Sequence, residues 1–282
     1  MLRTIFVTAP PVPAPQSWRA ELQLQFEAQA GRTVLASKRH HGPMLVQRPF
    51  HPEGAPCHTY LLHPPGGVVG GDSLALDVQL APGAHALLTM PGATKFYRSA
   101  DATSLLHQHF ALAAGSTLEW LPQDNIFFPG AKARLDTRFD MADGARLLAW
   151  EGLCLGRPVM GEAFSSGQLG TRLQVWRNGR PLLHERLRIK DGALAKLGGH
   201  PLLATLVAAP ASAMHLELAR DVLASGLPGH APAGATLLDE VLVVRLLHHD
   251  NIALQAVLQQ LWMALRPALL GLAPCPPRIW AT

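Results

Sequence analysis

The chain has 282 residues, 48% of them hydrophobic and 16% charged, with a formal net charge of +4. Its mean hydropathy of +0.14 suits a folded chain with a filled interior and excludes an intrinsically disordered one. Lys and Arg are scattered along the sequence without a basic, aromatic-interleaved stripe, and no apolar run approaches the ~20 residues of a membrane helix, so neither nucleic acid nor membrane is an expected partner.

Residues 1–17 contain Pro10, Pro11, Pro13 and Pro15 and read as an extended, mobile arm, ahead of a single domain over 18–282. The apolar run near Met1 is too short for a signal-peptide core. From Trp18 onward the dominant period is two, as half-buried strands require. Leu22, Leu24 and Phe26 alternate with Glu21, Gln23, Gln25 and Glu27. Leu74, Leu76, Val78 and Leu80 form the next row, and Leu135, Thr137, Phe139 and Met141 another, followed by Leu173 and Val175.

Turn signals at Pro82-Gly83, Ala114-Gly115, Pro129-Gly130, Asp143-Gly144 and Asn178-Gly179 separate these rows. Asn178-Gly179 predicts a two-residue hairpin, because both residues tolerate positive φ. A helix is expected from about Met214 to Ala224, then a β-type run from Thr236 to Leu247. After Asp250, a candidate N-cap, Leu254, Val257, Leu258, Leu261, Trp262 and Leu265 fall on one helical face, and Pro267 should end or kink that helix. The pattern is mainly β with a partly helical C-terminal third, and no repeat of fixed length is present.

The chemistry-bearing motifs are few. No G-x-S-x-G, H-E-x-x-H or dinucleotide fingerprint occurs. The segment HPPGGVVGGD over His63–Asp72 lacks the Gly-Lys-Ser/Thr of a phosphate loop and enters a strand, so its glycines read as a sharp bend between strands. Cys57, Cys154 and Cys275 are distant from one another, which argues for a reducing cytoplasm and against a disulfide framework or a structural zinc site. The 14 histidines include His40-His41 and His248-His249, but none stands at a familiar ligand spacing.

Three acids are more informative because they share parity with apolar residues. Glu185 lies with Leu183, Leu187 and Ile189, Glu151 with Leu147, Ala149, Leu153 and Leu155, and Asp72 with the row from Leu74 to Leu80. A carboxylate inside an apolar layer costs several kcal/mol unless it is paired, hydrogen-bonded or hydrated. Three alternatives follow: ion pairs with arginines such as Arg98, Arg157 or Arg186, a water-filled passage offering oxygen ligands to a cation, or the acid and base of a carbohydrate-active enzyme acting on a polysaccharide.

The block YLLHPPGGVVGGDSLALDVQLAPGAHALLTMPGATKFYRS, Tyr60–Ser99, resembles the UreD (UreH) urease accessory proteins. So do RTVLAS with HHGPMLVQRPFHPEG, LEWLPQDNIFFPGAKARL, WEGLCLGRPVMGE and the ending PRIWAT, in order along nearly the whole chain. The resemblance implies an irregular β-helix-like stack of strands with a few helices. It further implies a non-catalytic scaffold that joins UreF, the GTPase UreG and apo-urease, and assists GTP-dependent nickel delivery without a tightly bound cofactor. The family's proposed metal passage, with nickel as transient cargo, falls on Asp72, Thr94, Glu151 and Glu185.

Overall fold

The structure, a computed structural model, describes residues 17–226 and 231–281. Except for Ser17, the expected Pro-rich arm lies outside the described residues. The first strands are β1 (Arg19–Gln29), β2 (Arg32–His41), β3 (Leu45–Val46), β4 (Cys57–Leu62), β5 (Ser73–Leu80), β6 (His85–Thr89) and β7 (Thr94–Phe96). Next come β8 (Ser104–Leu112), β9 (Thr117–Leu121), β10 (Asn125–Phe127), β11 (Lys132–Met141), β12 (Arg146–Arg157) and β13 (Glu162–Ala163). The rest are β14 (Gln168–Arg177), β15 (Arg180–Lys190), β16 (Leu202–Ala209), helix α1 (Ala213–Gly226), β17 (Ala233–Leu238), β18 (Val241–His248) and helix α2 (Asn251–Leu270).

Two sheets face each other. One runs β15-β14-β11-β8-β5-β1-β2, and the other β17-β18-β16-β12-β9-β6-β4-β3, with β7, β10 and β13 joined at its side. Within the first, β1, β5, β8, β11 and β14 are parallel, and within the second so are β4, β6, β9 and β12. The chain therefore winds from one sheet to the other and back, the β-helix-like stack that the resemblance implies.

The sequence shows how each coil closes. Pro82-Gly83, Ala114-Gly115 and Asp143-Gly144 carry the chain from β5 to β6, β8 to β9 and β11 to β12, with Gly83, Gly115 and Gly144 all at positive φ. The turns stack on one another: Gly83 N–H donates to the Ala114 carbonyl at 3.1 Å and Gly115 N–H to that of Asp143 at 3.0 Å. Leu74 stands opposite Leu106, Leu106 opposite Leu135 and Leu135 opposite Thr171. These intervals are unequal, which is why no repeat of fixed length marks the stack.

The two inward faces supply one buried core, in which Leu22, Leu76, Phe110, Phe139 and Val175 meet Leu88, Trp120, Leu147 and Val207. Behind the second sheet, α2 buries Leu254, Val257, Leu258, Leu261, Trp262 and Leu265, the face that the 3.6-residue period predicts. Asp250 caps α2, its side chain accepting from the N–H groups of Ile252 and Ala253.

Two boundaries differ from expectation. Pro267 lies inside α2, which continues to Leu270 and ends in left-handed Gly271, whose N–H reaches the Pro267 carbonyl at 3.0 Å. Proline costs the helix one donor at its last turn without stopping it. The run Thr236–Leu247 is two antiparallel strands, β17 and β18, folded at Asp239, whose φ of 50° makes the turn. The Asn178-Gly179 hairpin between β14 and β15 forms as expected, with φ of 49° and 77°.

A buried ion pair fastens α2 to the stack. Glu119 of β9 and Arg266 of α2 are both fully buried, with Arg266 Nε 3.0 Å from Glu119 Oε2. Trp262 Nε1 donates to the same carboxylate at 2.7 Å, His85 Nε2 lies 2.8 Å from its other oxygen, and Arg266 also meets Glu53 at 2.6 Å. Although burial alone would raise it, hydrogen bonds and charge from His85 and Arg266 hold the Glu119 carboxyl below its usual range. Replacing Glu119 by Ala leaves the buried Arg266 guanidinium with Glu53 as its remaining carboxylate and takes the acceptor from the Trp262 N–H, and should cost about 3 kcal/mol. Urea unfolding of Glu119→Ala measures that cost, and a loss below about 1 kcal/mol would show that α2 is held by its apolar face alone.

Candidate functional site

Parallel in-register stacking puts equivalent positions of successive strands side by side. One inward row of the first sheet reads Leu76, Gln108, Thr137, Leu173, Glu185. Across the core, the second sheet sets Glu151, Thr205 and Arg245 next to one another. The two rows form a polar seam in an otherwise apolar interior, and Thr137 Oγ1 spans them, 3.0 Å from Gln108 Oε1 and 3.2 Å from Glu151 Oε1.

Each acid on the apolar parity is satisfied differently. Asp72 is buried and accepts two backbone N–H groups, from Trp18 at 2.8 Å and Val69 at 2.9 Å, so it ties the bend that precedes β5 to the start of β1. Glu185 is half-buried, less enclosed than its parity predicts, because β15 is an edge strand, and it pairs with Arg245. Of the arginines suggested by sequence, Arg157 pairs with Glu162 and Arg186 meets His184, while Arg98 forms no ion pair among the described residues.

Glu151 has no cation beside it among the described residues. The Thr137 hydroxyl that faces its carboxyl carries a single hydrogen and also faces Gln108. Burial therefore pushes the Glu151 carboxyl up to about 7, with the Thr137 hydrogen bond opposing only in part. A protonated Glu151 can donate to Thr137 while Thr137 donates to Gln108. This gives each of the three groups one partner.

Three cavities share walls along this seam. An open cavity of about 540 Å³ is lined by Glu151, Thr205, Glu185, Arg245 and Lys196. Glu151 also lines a small enclosed cavity of about 20 Å³ with Thr94, Gln108, Asn125 and His63, enough for about one water. His63, Thr94 and Leu61 in turn line a cavity of about 340 Å³ that reaches the Gly66-Gly67 bend and Pro91. Glu151 thus stands where the wide cavity meets the narrow one, Glu185 lies toward the open end and Thr94 toward the other. Asp72 lines none of the three.

Four seam residues escaped sequence reading: His63, Gln108, Asn125 and Arg245. Burial holds the His63 imidazole below its usual value, against the pull of Asp72, so a neutral nitrogen is available at neutral pH. Gln108 shares parity with Leu106 and Phe110, and Arg245 with Val243 and Leu247, so the same test that found the acids would have found both. Among the described residues no three His, Cys, Asp or Glu side chains come together to hold a metal ion, and no helix is long and apolar enough to cross a membrane.

This fold and seam define a β-solenoid-like protein with a polar seam between its two sheets. Residues 19–281 match the family model described as UreD urease accessory protein, and the chain belongs to that family. It is 62% identical over 272 residues to the urease accessory protein UreD of Pseudomonas entomophila, covering 96% of this chain and 97% of that protein. It is 63% identical over 265 residues to the one of Pseudomonas putida strain W619, with 94% and 95% covered. Its identity to the Klebsiella aerogenes protein is 53% over 270 residues, 96% of this chain and 99% of that one.

Because Glu151 titrates near 7 in the folded chain and near 4.5 when unfolded, stability depends on pH in a defined direction. Below about pH 4.5 both states hold the proton, and between there and about pH 7 only the folded state keeps it. Stability from this group falls through that window, by about 3 kcal/mol in all, and is level above it. Glu151→Gln should abolish the decline and be more stable than the parent at alkaline pH, which urea midpoints at about pH 5 and about pH 8 will report.

Proposed function

We propose that this urease accessory protein is a non-catalytic, cytoplasmic maturation scaffold. It binds apo-urease together with UreF and UreG and assists GTP-dependent nickel insertion, with the polar seam as the interior route for the ion. Nickel is cargo on this reading and passes transiently, and Asp72, Thr94, Glu151 and Glu185 are its candidate passage residues. The observation that supports the reading is the position of Glu151, which forms a wall of both the open and the enclosed cavity.

Carboxylate, hydroxyl, amide and imidazole donors spaced along a route give a divalent cation successive weak sites. Conduction needs sites favourable enough to enter and weak enough to leave. The cavity of about 20 Å³ between Thr94 and Glu151 is a constriction that must widen by side-chain rotation for a hydrated ion to pass. Asp72 acts at one remove, holding the bend that carries His63 and the glycines while its charge acts on the His63 imidazole. GTP hydrolysis belongs to the partner GTPase. The alternative, a carbohydrate-active enzyme, requires two free acids facing an open groove, whereas Glu185 is held by Arg245 and Glu151 adjoins the constriction.

The test is activation of apo-urease by purified complexes of matched composition containing the double variant Glu151→Gln, Glu185→Gln. Activation should fall well below that of the parent while thermal unfolding stays within a few degrees of it, since the amides keep shape and most hydrogen bonds. Full activation by the double variant would rule out the seam as the route.

A further inference from the structure

The outward face of the first sheet has an uneven charge distribution that the linear sequence hides. Across β11, β14 and β15 the outward residues pair as Lys132, Gln168, Lys190, then Arg134, Gly170, Arg188, then Asp136, Arg172, Arg186. Six cations thus face one carboxylate, and Asp136 is already engaged by Arg172 at 3.1 Å and by Gln174. Arg134, Arg186 and Arg188 are exposed and have no carboxylate within ion-pair distance among the described residues, and Lys190 has only Asp191 at 4.0 Å.

The opposite end of the same face is neutralised. There Arg138 and His109 are engaged by Asp140, and His109 also by Asp77. On β11, β14 and β15 the unpaired charge is therefore confined to one end.

That end is also concave. Gly170 lies at the centre of the basic rows, nothing stands within 4 Å of where its side chain would be, and a surface cavity of about 400 Å³ opens there between Arg134, Arg172, Arg186 and Arg188. Thr171, Arg186 and Leu187 line this concavity and also the open end of the seam. Glu185 and Arg186 are neighbours on β15, facing inward and outward, so the basic face forms the rim of the seam's wide mouth.

We propose that this rim is the docking surface for an acidic surface of a partner protein, seated over the wide mouth of the seam. The inference rests on the passage reading for its purpose but stands on charge and shape. In the isolated chain Arg186, Lys196 and Arg245 surround a mouth whose carboxylates are Glu185 and Glu151, so the rim repels a free divalent cation. A partner's carboxylates would pair with Arg134, Arg186 and Arg188, neutralise the rim and seal the mouth from solvent. Three strands and three rows span about 10 by 13 Å, the footprint of a few carboxylates on a protein surface. A nucleic-acid duplex presents a much longer run of phosphates, so it fits less well.

Two variants test this on the full chain, with apo-urease and the UreF–UreG complex as separate probes. Arg134→Glu, Arg188→Glu reverses two exposed charges. Gly170→Glu places a carboxylate in the concavity, where the open space accommodates it, so thermal unfolding should match or exceed that of the parent. Both should weaken binding of one probe by about tenfold or more at low salt and flatten the salt dependence of that affinity. Unchanged affinity and unchanged salt dependence for both probes would overturn the proposal, as would parent-level binding of a short DNA duplex stronger than that of either protein. The passage variant Glu151→Gln, Glu185→Gln separates the two readings. It should bind both probes normally, so loss of activation with binding intact concerns the passage, and loss of binding in the rim variants concerns the dock.

Discussion

Everything distinctive about this molecule depends on in-register parallel stacking of two facing sheets. When successive strands of a coil align residue for residue, an inward position on one strand is flanked by inward positions on its neighbours. A polar residue in such a stack cannot be isolated by chance, since its surroundings are fixed by register. Gln108 beside Thr137, and Glu151 beside Thr205 with Arg245 on the strand beyond, are polar rows set by that register. The cost is the loss of apolar burial along one layer, which the rows of Leu, Phe and Val above and below it supply to the core.

The second sheet faces two chemically different neighbours. Its inner side carries the seam, while its outer side is closed by α1 and α2 through an apolar layer that contains one buried ionic cluster. Glu119 and Glu151 show the contrast. Both are buried carboxylates, yet Glu119 is surrounded by Arg266, His85 and Trp262 and is held ionised. Glu151 has one hydroxyl and titrates near neutrality. A structural carboxylate is given a full set of donors, and one left partly unsatisfied beside a cavity remains able to exchange protons or ligands.

Much of this architecture is legible in the sequence, and the limits have physical causes. Period-two rows, glycine turns, the α2 face and its Asp250 cap are local, and side-chain parity identified Glu151 and Asp72 as buried before any fold was known. Strand order is not local: nothing in the rows beginning at Leu22 and Leu74 says that β1 and β5 pair in parallel. Nor does composition reveal that Glu119 meets Arg266 at a separation of 147 residues. The Thr236–Leu247 run concealed a hairpin because Asp239-Glu240 lacks glycine, and Asp239 adopts positive φ, which aspartate tolerates better than most residues.

The same register that builds the seam also places charge outside it. Alternation along β15 sends Leu183, Glu185, Leu187 and Ile189 to one side and His184, Arg186, Arg188 and Lys190 to the other, so a single edge strand supplies both the carboxylate inside the mouth and the cations around it. A one-residue slip of β15 would turn the arginines inward and expose the leucines. The Asn178-Gly179 turn pairs Trp176 with Pro181, and a one-residue shift past Leu182 then brings Val175 to Leu183 and Leu173 to Glu185, so turn and bulge together set mouth and rim. Beyond that bulge the pairing runs without further shift from Leu173 and Glu185 down to Gln168 and Lys190. Precision at the mouth thus comes from the hairpin, while the edge position of β15 leaves that mouth uncovered on one side.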